Sequence, residues 1–164
     1  MAALELQPIV RARDEGDRRW FFGGGEHIWK ATAAETNGAF LLFEDRMEQG
    51  KVTPLHLHPD SDESMIVLEG EILMHIDGDE HVVAAGGVAV APRGVPHAFL
   101  VTSPAVRLLC LHTPGCCQAF YWDASEPLRE GDNAQRCVDF DRVQQSAKSN
   151  GGIEILGPPP FARS

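Results

Sequence analysis

Residues 50–70 read GKVTPLHLHPDSDESMIVLEG, and two histidines, His56 and His58, stand one residue apart within them. On a helix, which turns 100° per residue, these side chains would point to nearly opposite sides. On a strand, residues i and i+2 share a face and lie about 6.8 Å apart, so two imidazoles can tilt toward one ion. The pair therefore predicts a strand that carries metal ligands.

Three acids follow the histidines, and we ask which one completes the site. A short polar turn, PDSD, precedes Glu63, and a turn of that length brings Glu63 back beside the histidines on a new strand. Asp60 and Asp62 are expected inside the turn, where they face solvent and bond backbone N–H groups. One turn cannot surround an ion, so a further ligand has to come from a distant strand. His97 is the best placed, because it follows the rigid segment PRGVP.

The remaining histidines are weaker candidates. His75 alternates with apolar residues and is expected to face away from the core. His112 ends an apolar segment and could line a cavity, whereas His27 and His81 lie outside the motif or on another hairpin. We expect ordinary structural or surface roles for all four.

Seven short apolar segments predict strands in the middle of the chain, and Gly and Pro punctuate them. Asp77-Gly78 is a strong hairpin signal. Many short strands at such spacing are typical of an antiparallel sandwich or barrel. The predicted strands cover residues 39–47, 64–70, 71–77, 80–84, 88–92, 97–102 and 105–113.

The ends of the chain add fewer elements. Further strands are expected around 18–22 and 27–32. The best helix candidate covers 139–152, with Asp139 or Asp141 as its cap and Gly151 at its end. The fold class predicted is thus all-β, with a short C-terminal helix.

Composition narrows the class of protein. The 164 residues suit one domain over 1–164, and 43% apolar residues suffice for a core. A net charge of −10 argues against nucleic acid and against an anionic membrane surface as partners. The most apolar run, 82–91, is too short to span a bilayer, and no signal peptide is apparent, so we expect a cytoplasmic protein. The four cysteines form no CxxC pair and are expected to be reduced thiols.

Two segments resemble the cupin motifs. Residues 50–70 look like the first motif, G(X)5HXH(X)4E(X)6G, and residues 86–101 look like the second, G(X)5PXG(X)2H(X)3N. Val101 replaces the terminal Asn of the second motif, a position that is not a metal ligand in the family. The matching positions are Gly50, His56, His58, Glu63, Gly70, Gly86, Pro92, Gly94 and His97. The flanks WFFGGG, TPGCCQAFYW and EILGPPP are similar to those of small quercetin 2,3-dioxygenase-like cupins.

The resemblance implies a double-stranded β-helix, or jelly-roll barrel, that forms a homodimer. The motif-bearing core would span about 36–115, with the terminal extensions packed on it. The resemblance also implies one divalent transition metal per chain in the barrel mouth: Fe, Mn, Ni, Co, Cu or Zn. Its ligands would be His56, His58, Glu63 and His97.

Strand alternation also predicts the wall of a substrate pocket. Counted from Glu63, Met65 and Val67 face inward, and counted from His97, Phe99 and Val101 do so. Such a wall suits an apolar or aromatic small molecule. The same alternation is equally compatible with ordinary barrel core at these positions.

Several functions share this fold and site. The first is a dioxygenase of the quercetin 2,3-dioxygenase type, acting with O2 on a flavonol-like or other aromatic or polyketide-like substrate, with Glu63 as ligand and proton acceptor. The second is a redox-neutral metal-dependent cupin, either a polyketide cyclase or an isomerase. The third is a non-enzymatic module that binds a small molecule. Fold-level resemblance alone does not separate them.

Overall fold

The protein is built mainly of β-strands, as seen in a computed structural model that describes residues 6–131 and 136–162. The strands are β1 (Asp17–Phe21), β2 (Gly25–Ala31), β3 (Leu41–Glu48), β4 (Leu55–Leu57), β5 (Asp62–Glu69), β6 (Glu71–Ile76), β7 (Asp79–Ala84), β8 (Val88–Ala91), β9 (His97–Val101), β10 (Ala105–Thr113), β11 (Ser125–Pro127) and β12 (Glu154–Gly157). The helices are α1 (Gln118–Asp123) and α2 (Phe140–Asn150).

The strands form two antiparallel sheets. One has seven strands in the order β11-β1-β2-β3-β10-β5-β8, and the other has five in the order β12-β4-β9-β6-β7. Consecutive strands β5 and β6 lie in different sheets, as do β8 and β9, so the chain repeatedly crosses between the two. The predicted all-β jelly-roll barrel with a short C-terminal helix is confirmed.

The core lies between the inner faces of the two sheets. Along β10, buried and half-buried residues alternate, so that Leu108, Cys110 and His112 face inward. His112 is in register with Glu63 of β5 on one side and with Leu41 of β3 on the other. The largest fully buried apolar side chains are Trp29, Phe22, Phe43, Phe120, Ile28, Leu41, Met65, Ile72, Met74 and Leu108.

Local sequence signals set most element boundaries. Asp77 and Gly78 both have positive φ, 49° and 91°, as the tight turn between β6 and β7 requires. Asp139, rather than Asp141, caps α2, because its carboxylate accepts a hydrogen bond from the N–H of Arg142. The helix ends at Gly151, as expected.

Three elements were not predicted from the sequence: α1, β11 and β12. Each has at most six residues, which is too short for a periodic signal. β11 and β12 exist as strands because they pair with β1 and β4, respectively. Pairing with β12 also places the histidine strand β4 inside its sheet, between β12 and β9.

Two expectations stay predictions: a single domain over residues 1–164 and a homodimer. Residues 1–5, 132–135 and 163–164 lie outside the described part of the chain. Neither α1 nor α2 has the length and apolar character needed to cross a membrane, and no other helix of the described residues does.

The two glycines that frame the first histidine motif, Gly50 and Gly70, differ in their surroundings. Both have positive φ, 86° and 84°. A methyl group added at Gly70 would lie 2.2 Å from the carbonyl oxygen of Ala105 and 2.6 Å from Oγ of Ser103. A methyl group added at Gly50 would meet no atom within 4 Å. Of these two glycines, Gly70 alone is needed to let the backbone near Ala105 approach closely, at the point where the chain crosses from β5 to β6.

We predict that Gly70→Ala lowers the free energy of unfolding by about 2 kcal/mol more than Gly50→Ala, because a backbone clash is added to the positive-φ strain. Gly50→Ala serves as the matched control and should cost about 1–2 kcal/mol. Urea unfolding followed by circular dichroism measures both values. Equal losses in the two variants would contradict this account of Gly70.

Candidate metal centre

Strands β4 and β9 bring three histidines together. His56 of β4 is in register with His97 of β9, and their ring centroids lie 4.4 Å apart. His58 follows β4 directly, and its ring centroid lies 5.4 Å from that of His56 and 5.6 Å from that of His97. The three imidazoles thus face one point from one sheet.

Glu63 reaches the same point from the opposite sheet. Its Oε2 lies 2.7 Å from Nε2 of His97 and 3.1 Å from Nε2 of His58. All four side chains are buried, and one ligand atom from each lies within 4.8 Å of the others. The structure therefore brings together the four residues that the sequence singled out.

The neighbouring acids lie elsewhere. Asp62 is the first residue of β5, and its Oδ1 accepts the backbone N–H of Arg93 at 2.9 Å. Asp60 is exposed in the preceding turn. Neither carboxylate belongs to the cluster, as expected from the sequence.

Backbone carbonyls orient all three imidazoles. Nδ1 of His56 lies 2.8 Å from the carbonyl oxygen of Pro54, and Nδ1 of His97 lies 2.9 Å from that of Val95. Because a carbonyl only accepts, each Nδ1 carries a proton, and Nε2 is the ring nitrogen that faces the cluster.

His58 is held in the same way, but by a distant part of the chain. Its Nδ1 lies 2.8 Å from the carbonyl oxygen of Gly152, in the link between α2 and β12. The C-terminal segment thus fixes the orientation of one cluster histidine. This contact was not foreseeable from the motif, since Gly152 is 94 residues away.

The electrostatics of the cluster favour a neutral His56 and an ionised Glu63, whereas Glu63 favours the protonated form of His97. Burial, together with His97 and His58, lowers the pKa of His56 to about 3. Burial alone would raise the pKa of Glu63, but His112, His58 and His97 outweigh it and hold that pKa well below its usual range. For His97, burial lowers the pKa, and the hydrogen bond and charge of Glu63 raise it by more.

This donor set fits a divalent transition metal. Three imidazole nitrogens and one carboxylate oxygen are ligands that such ions share, and metal binding requires them deprotonated. The buried Nε2 of His58 has no hydrogen-bond partner among the described residues. A lone pair facing a carboxylate oxygen repels it unless a cation lies nearby, so the arrangement calls for a proton or a metal ion.

Two thiols and a fourth histidine lie next to the cluster. Sγ of Cys110 donates to Oε1 of Glu63 at 3.1 Å, and Nε2 of His112 lies 3.7 Å from the same oxygen. Cys117 is also close enough to form a set with His58 and His112. Burial raises the pKa of Cys117 to about 12 and that of Cys110 well above its usual range. Without an ion nearby, both thiols are therefore protonated, and Cys110 acts as a hydrogen-bond donor to Glu63.

A small aromatic cavity adjoins the cluster. It measures about 50 Å3, whereas an apolar cavity of about 150 Å3 binds benzene. A ring can enter only if wall side chains move apart. The C-terminal part of the wall consists of Phe140, Val143, Ile153 and Ile155.

The four residues expected to form a substrate wall divide into two pairs. All four face the barrel interior and are at most 7% exposed. Met65 and Phe99 line the cavity together with His56 and Glu63, whereas Val67 and Val101 are in the core and not among the residues that line the cavity. The residues of the second pair pack the barrel instead.

A larger surface groove of about 650 Å3 lies outside the barrel. Charged residues line it, and they pair with each other: Glu69 with Arg107 at 3.0 Å and with Arg13 at 3.5 Å. None of the four cluster residues lines the groove. The groove is therefore not the candidate site, although it is larger than the cavity beside the cluster.

Sequence reasoning missed several residues around the cluster. Tyr121 lines the cavity from α1, a helix that no sequence pattern predicted. Asp45 and Cys110 could have been predicted from the sequence. Each lies two or four residues from buried apolar residues of its own strand and therefore faces the same side.

Comparisons with known proteins agree with this geometry. The sequence profile described as Cupin domain matches residues 43–112. Quercetin 2,3-dioxygenase from Bacillus subtilis (strain 168) is 30% identical over 105 residues, which are 64% of this chain and 31% of that protein. The HTH-type transcriptional regulator PuuR of Escherichia coli (strain K12) is 30% identical over 79 residues, 48% of this chain and 43% of the regulator. The chain thus spans less than half of either relative.

A solved structure has the same fold. KdgF from Halomonas sp. superposes with a TM-score of 0.60 and 18% identity, covering 66% of this chain and 94% of that one. The motif spacing, the two facing sheets and the profile match together identify residues 43–112 as a cupin domain.

Proposed function

We propose that the protein is a metal-dependent dioxygenase of the quercetin 2,3-dioxygenase-like cupin type, acting with O2 on a flavonol-like or other aromatic or polyketide-like substrate. The observation that carries the proposal is a buried cluster of three imidazoles and one carboxylate that opens onto an aromatic cavity. The dioxygenase from Bacillus subtilis supports the reaction type.

His56, His58, Glu63 and His97 would hold the metal. When bound, such an ion acts as a Lewis acid and, if it is redox-active, mediates electron transfer to O2. These four residues would leave room for a substrate oxygen on an ion that takes more than four ligands. A dioxygenase places both atoms of O2 in its organic products, so no external reductant is required.

Glu63 is the proposed proton acceptor for the substrate hydroxyl. It is the only carboxylate of the cluster, and its low pKa keeps it ionised. Its two oxygens have separate surroundings: Cys110 donates to Oε1, while Oε2 faces His58 and His97. An oxygen that loosens from the histidines can accept a proton while the thiol holds the other in place.

The cavity wall has two proposed tasks. Aromatic rings, including Phe99 and Tyr121, offer flat apolar contacts to an aromatic substrate. Side chains from α2 and β12 cover the cavity, so that water is excluded once the substrate is in place. The cavity of about 50 Å3 is smaller than a flavonol, so admission of this substrate requires that cover to open.

A non-enzymatic role in binding a small molecule is the second candidate. The match to the regulator PuuR and the small volume of the cavity favour it. Both candidates use the same cluster, but only the first consumes O2.

We predict that His58→Ala lowers the metal affinity at least 100-fold, because direct ligands matter at least as much as the groups that orient them. His81→Ala is the matched control, since His81 is exposed on β7. Mass-spectrometric metal analysis after nickel loading and desalting should find about one ion per wild-type chain. Retention of the ion by His58→Ala would contradict the ligand assignment.

We further predict that the metal-loaded protein consumes O2 in the presence of quercetin but not of luteolin, the same flavone without the 3-hydroxyl. Glu63→Gln should lower kcat/KM at least 100-fold, because general base catalysis typically supplies that much. An oxygen electrode measures both.

Absence of O2 uptake with quercetin and with other aromatic or polyketide substrates would contradict the dioxygenase. Conversion of such a substrate without O2 would indicate a redox-neutral cupin. Binding without conversion would indicate the non-enzymatic role.

A further inference from the structure

The cavity has a second polar end, formed by His27, Asp45 and Lys51. These three residues line the same cavity as His56 and Glu63. His27 and Asp45 lie outside both motifs, Lys51 is not one of the defined positions of the first motif, and the proposed mechanism uses none of the three.

The two polar ends are separated along the barrel. Glu63 is in register with His112, and His112 with Leu41 of β3. Leu41 therefore marks the level of Glu63 in the barrel. Asp45 faces inward on β3 four residues beyond Leu41, so it lies about 13 Å farther along the strand direction. His27 of β2 is the direct partner of Asp45 in the sheet. The distance between the two ends matches one or two aromatic rings, which the cavity of about 50 Å3 can admit only after wall side chains move apart.

His27 and Asp45 are buried, and each has a polar atom without a hydrogen-bond partner among the described residues. His27 is 1% exposed and Asp45 is 7% exposed. Nε2 of His27 lies 3.5 Å from Oδ2 of Asp45. The other two atoms, Nδ1 of His27 and Oδ1 of Asp45, have no hydrogen-bond partner among the described residues. Buried polar atoms are nearly always paired, either within the protein or with ordered water, so these two call for a partner from outside the chain.

Packing holds the pair in place. The ring of His27 is stacked between Phe21, at 4.8 Å, and Phe43, at 4.3 Å between centroids. The ring therefore cannot rotate freely to find another partner. Lys51 donates from Nζ to the carbonyl oxygen of Gly23. Its positive charge partly balances the carboxylate of Asp45 without pairing directly with it.

We propose that Asp45 and His27 form a hydroxyl-binding subsite for the end of the substrate that lies farthest from the metal. The carboxylate oxygen of Asp45 accepts a hydrogen bond, which selects a hydroxyl donor over an ether or a carbonyl. The substrate class is then an aromatic compound with one oxygen for the metal cluster and a hydroxyl on a remote ring position. This inference rests on the proposed function, since that function supplies the first of the two contacts.

Two flavonols test the subsite. Quercetin and 3-hydroxyflavone share the group that would bind the metal, but only quercetin carries additional ring hydroxyls. Their affinities for nickel-loaded protein are measured by tryptophan fluorescence under nitrogen, where no turnover occurs. The wild-type protein should bind quercetin about 10-fold or more tightly than 3-hydroxyflavone, as expected for a hydrogen bond to a charged group.

Two variants should remove this preference. Asp45→Asn keeps the shape of the side chain but not its charge. Gly25→Ala keeps the charge but places a methyl group 2.6 Å from Oδ1 of Asp45, which displaces that oxygen. Both should weaken quercetin binding about 10-fold and leave 3-hydroxyflavone binding within about twofold. Glu48→Gln, which removes an exposed charge from the same strand, is the control and should change neither affinity.

The outcomes separate the subsite from the proposed function. The subsite is overturned if the wild-type protein shows no preference, if the variants weaken both flavonols equally, or if they leave the preference intact. Loss of nickel from the variants would also overturn it, because Asp45 would then support the cluster rather than the ligand. If the wild-type protein binds neither flavonol, both the subsite and the flavonol-type substrate are wrong.

Discussion

The buried carboxylate of Glu63 is the constraint on which the rest of the site depends. An ionised carboxylate that is 5% exposed costs several kcal/mol unless positive charge or hydrogen-bond donors surround it. The barrel supplies three imidazoles from the opposite sheet and one thiol from the neighbouring strand. With every Nδ1 proton directed to a backbone carbonyl, an imidazole can donate to the carboxylate only if it carries a second proton, as the 2.7 Å contact of His97 Nε2 with Oε2 of Glu63 would require. Either a second proton on an imidazole or a bound cation balances this charge, and we propose that a metal ion does so in the functional protein.

Much of this arrangement could be predicted from the sequence, because its signals are local. The spacing of His56 and His58 predicted a strand. The short turn before Glu63 predicted that the chain comes back beside these histidines. Alternation correctly turned Met65 and Phe99 inward. Applied to Leu41, Phe43 and Met47, the same rule also predicts that the charged side chain of Asp45 faces the core.

Other parts of the site depend on tertiary contacts that leave no local trace. The carbonyl of Gly152 reaches His58 only because β12 pairs with β4. Tyr121 enters the cavity from a helix of six residues, too short for any periodicity. The C-terminal segment both covers the cavity and orients a histidine of the cluster, so its role appears only in the folded chain.

The most direct test of the account is X-ray absorption at the metal edge of the nickel-loaded protein. The account predicts a first shell of nitrogen and oxygen only, with the outer-shell scattering pattern of three imidazoles. The carboxylate of Glu63 should contribute one of the oxygens. A sulfur scatterer at about 2.3 Å would mean that Cys110 or Cys117 is a ligand and would contradict the assignment. A shell with fewer than three imidazoles would contradict it equally.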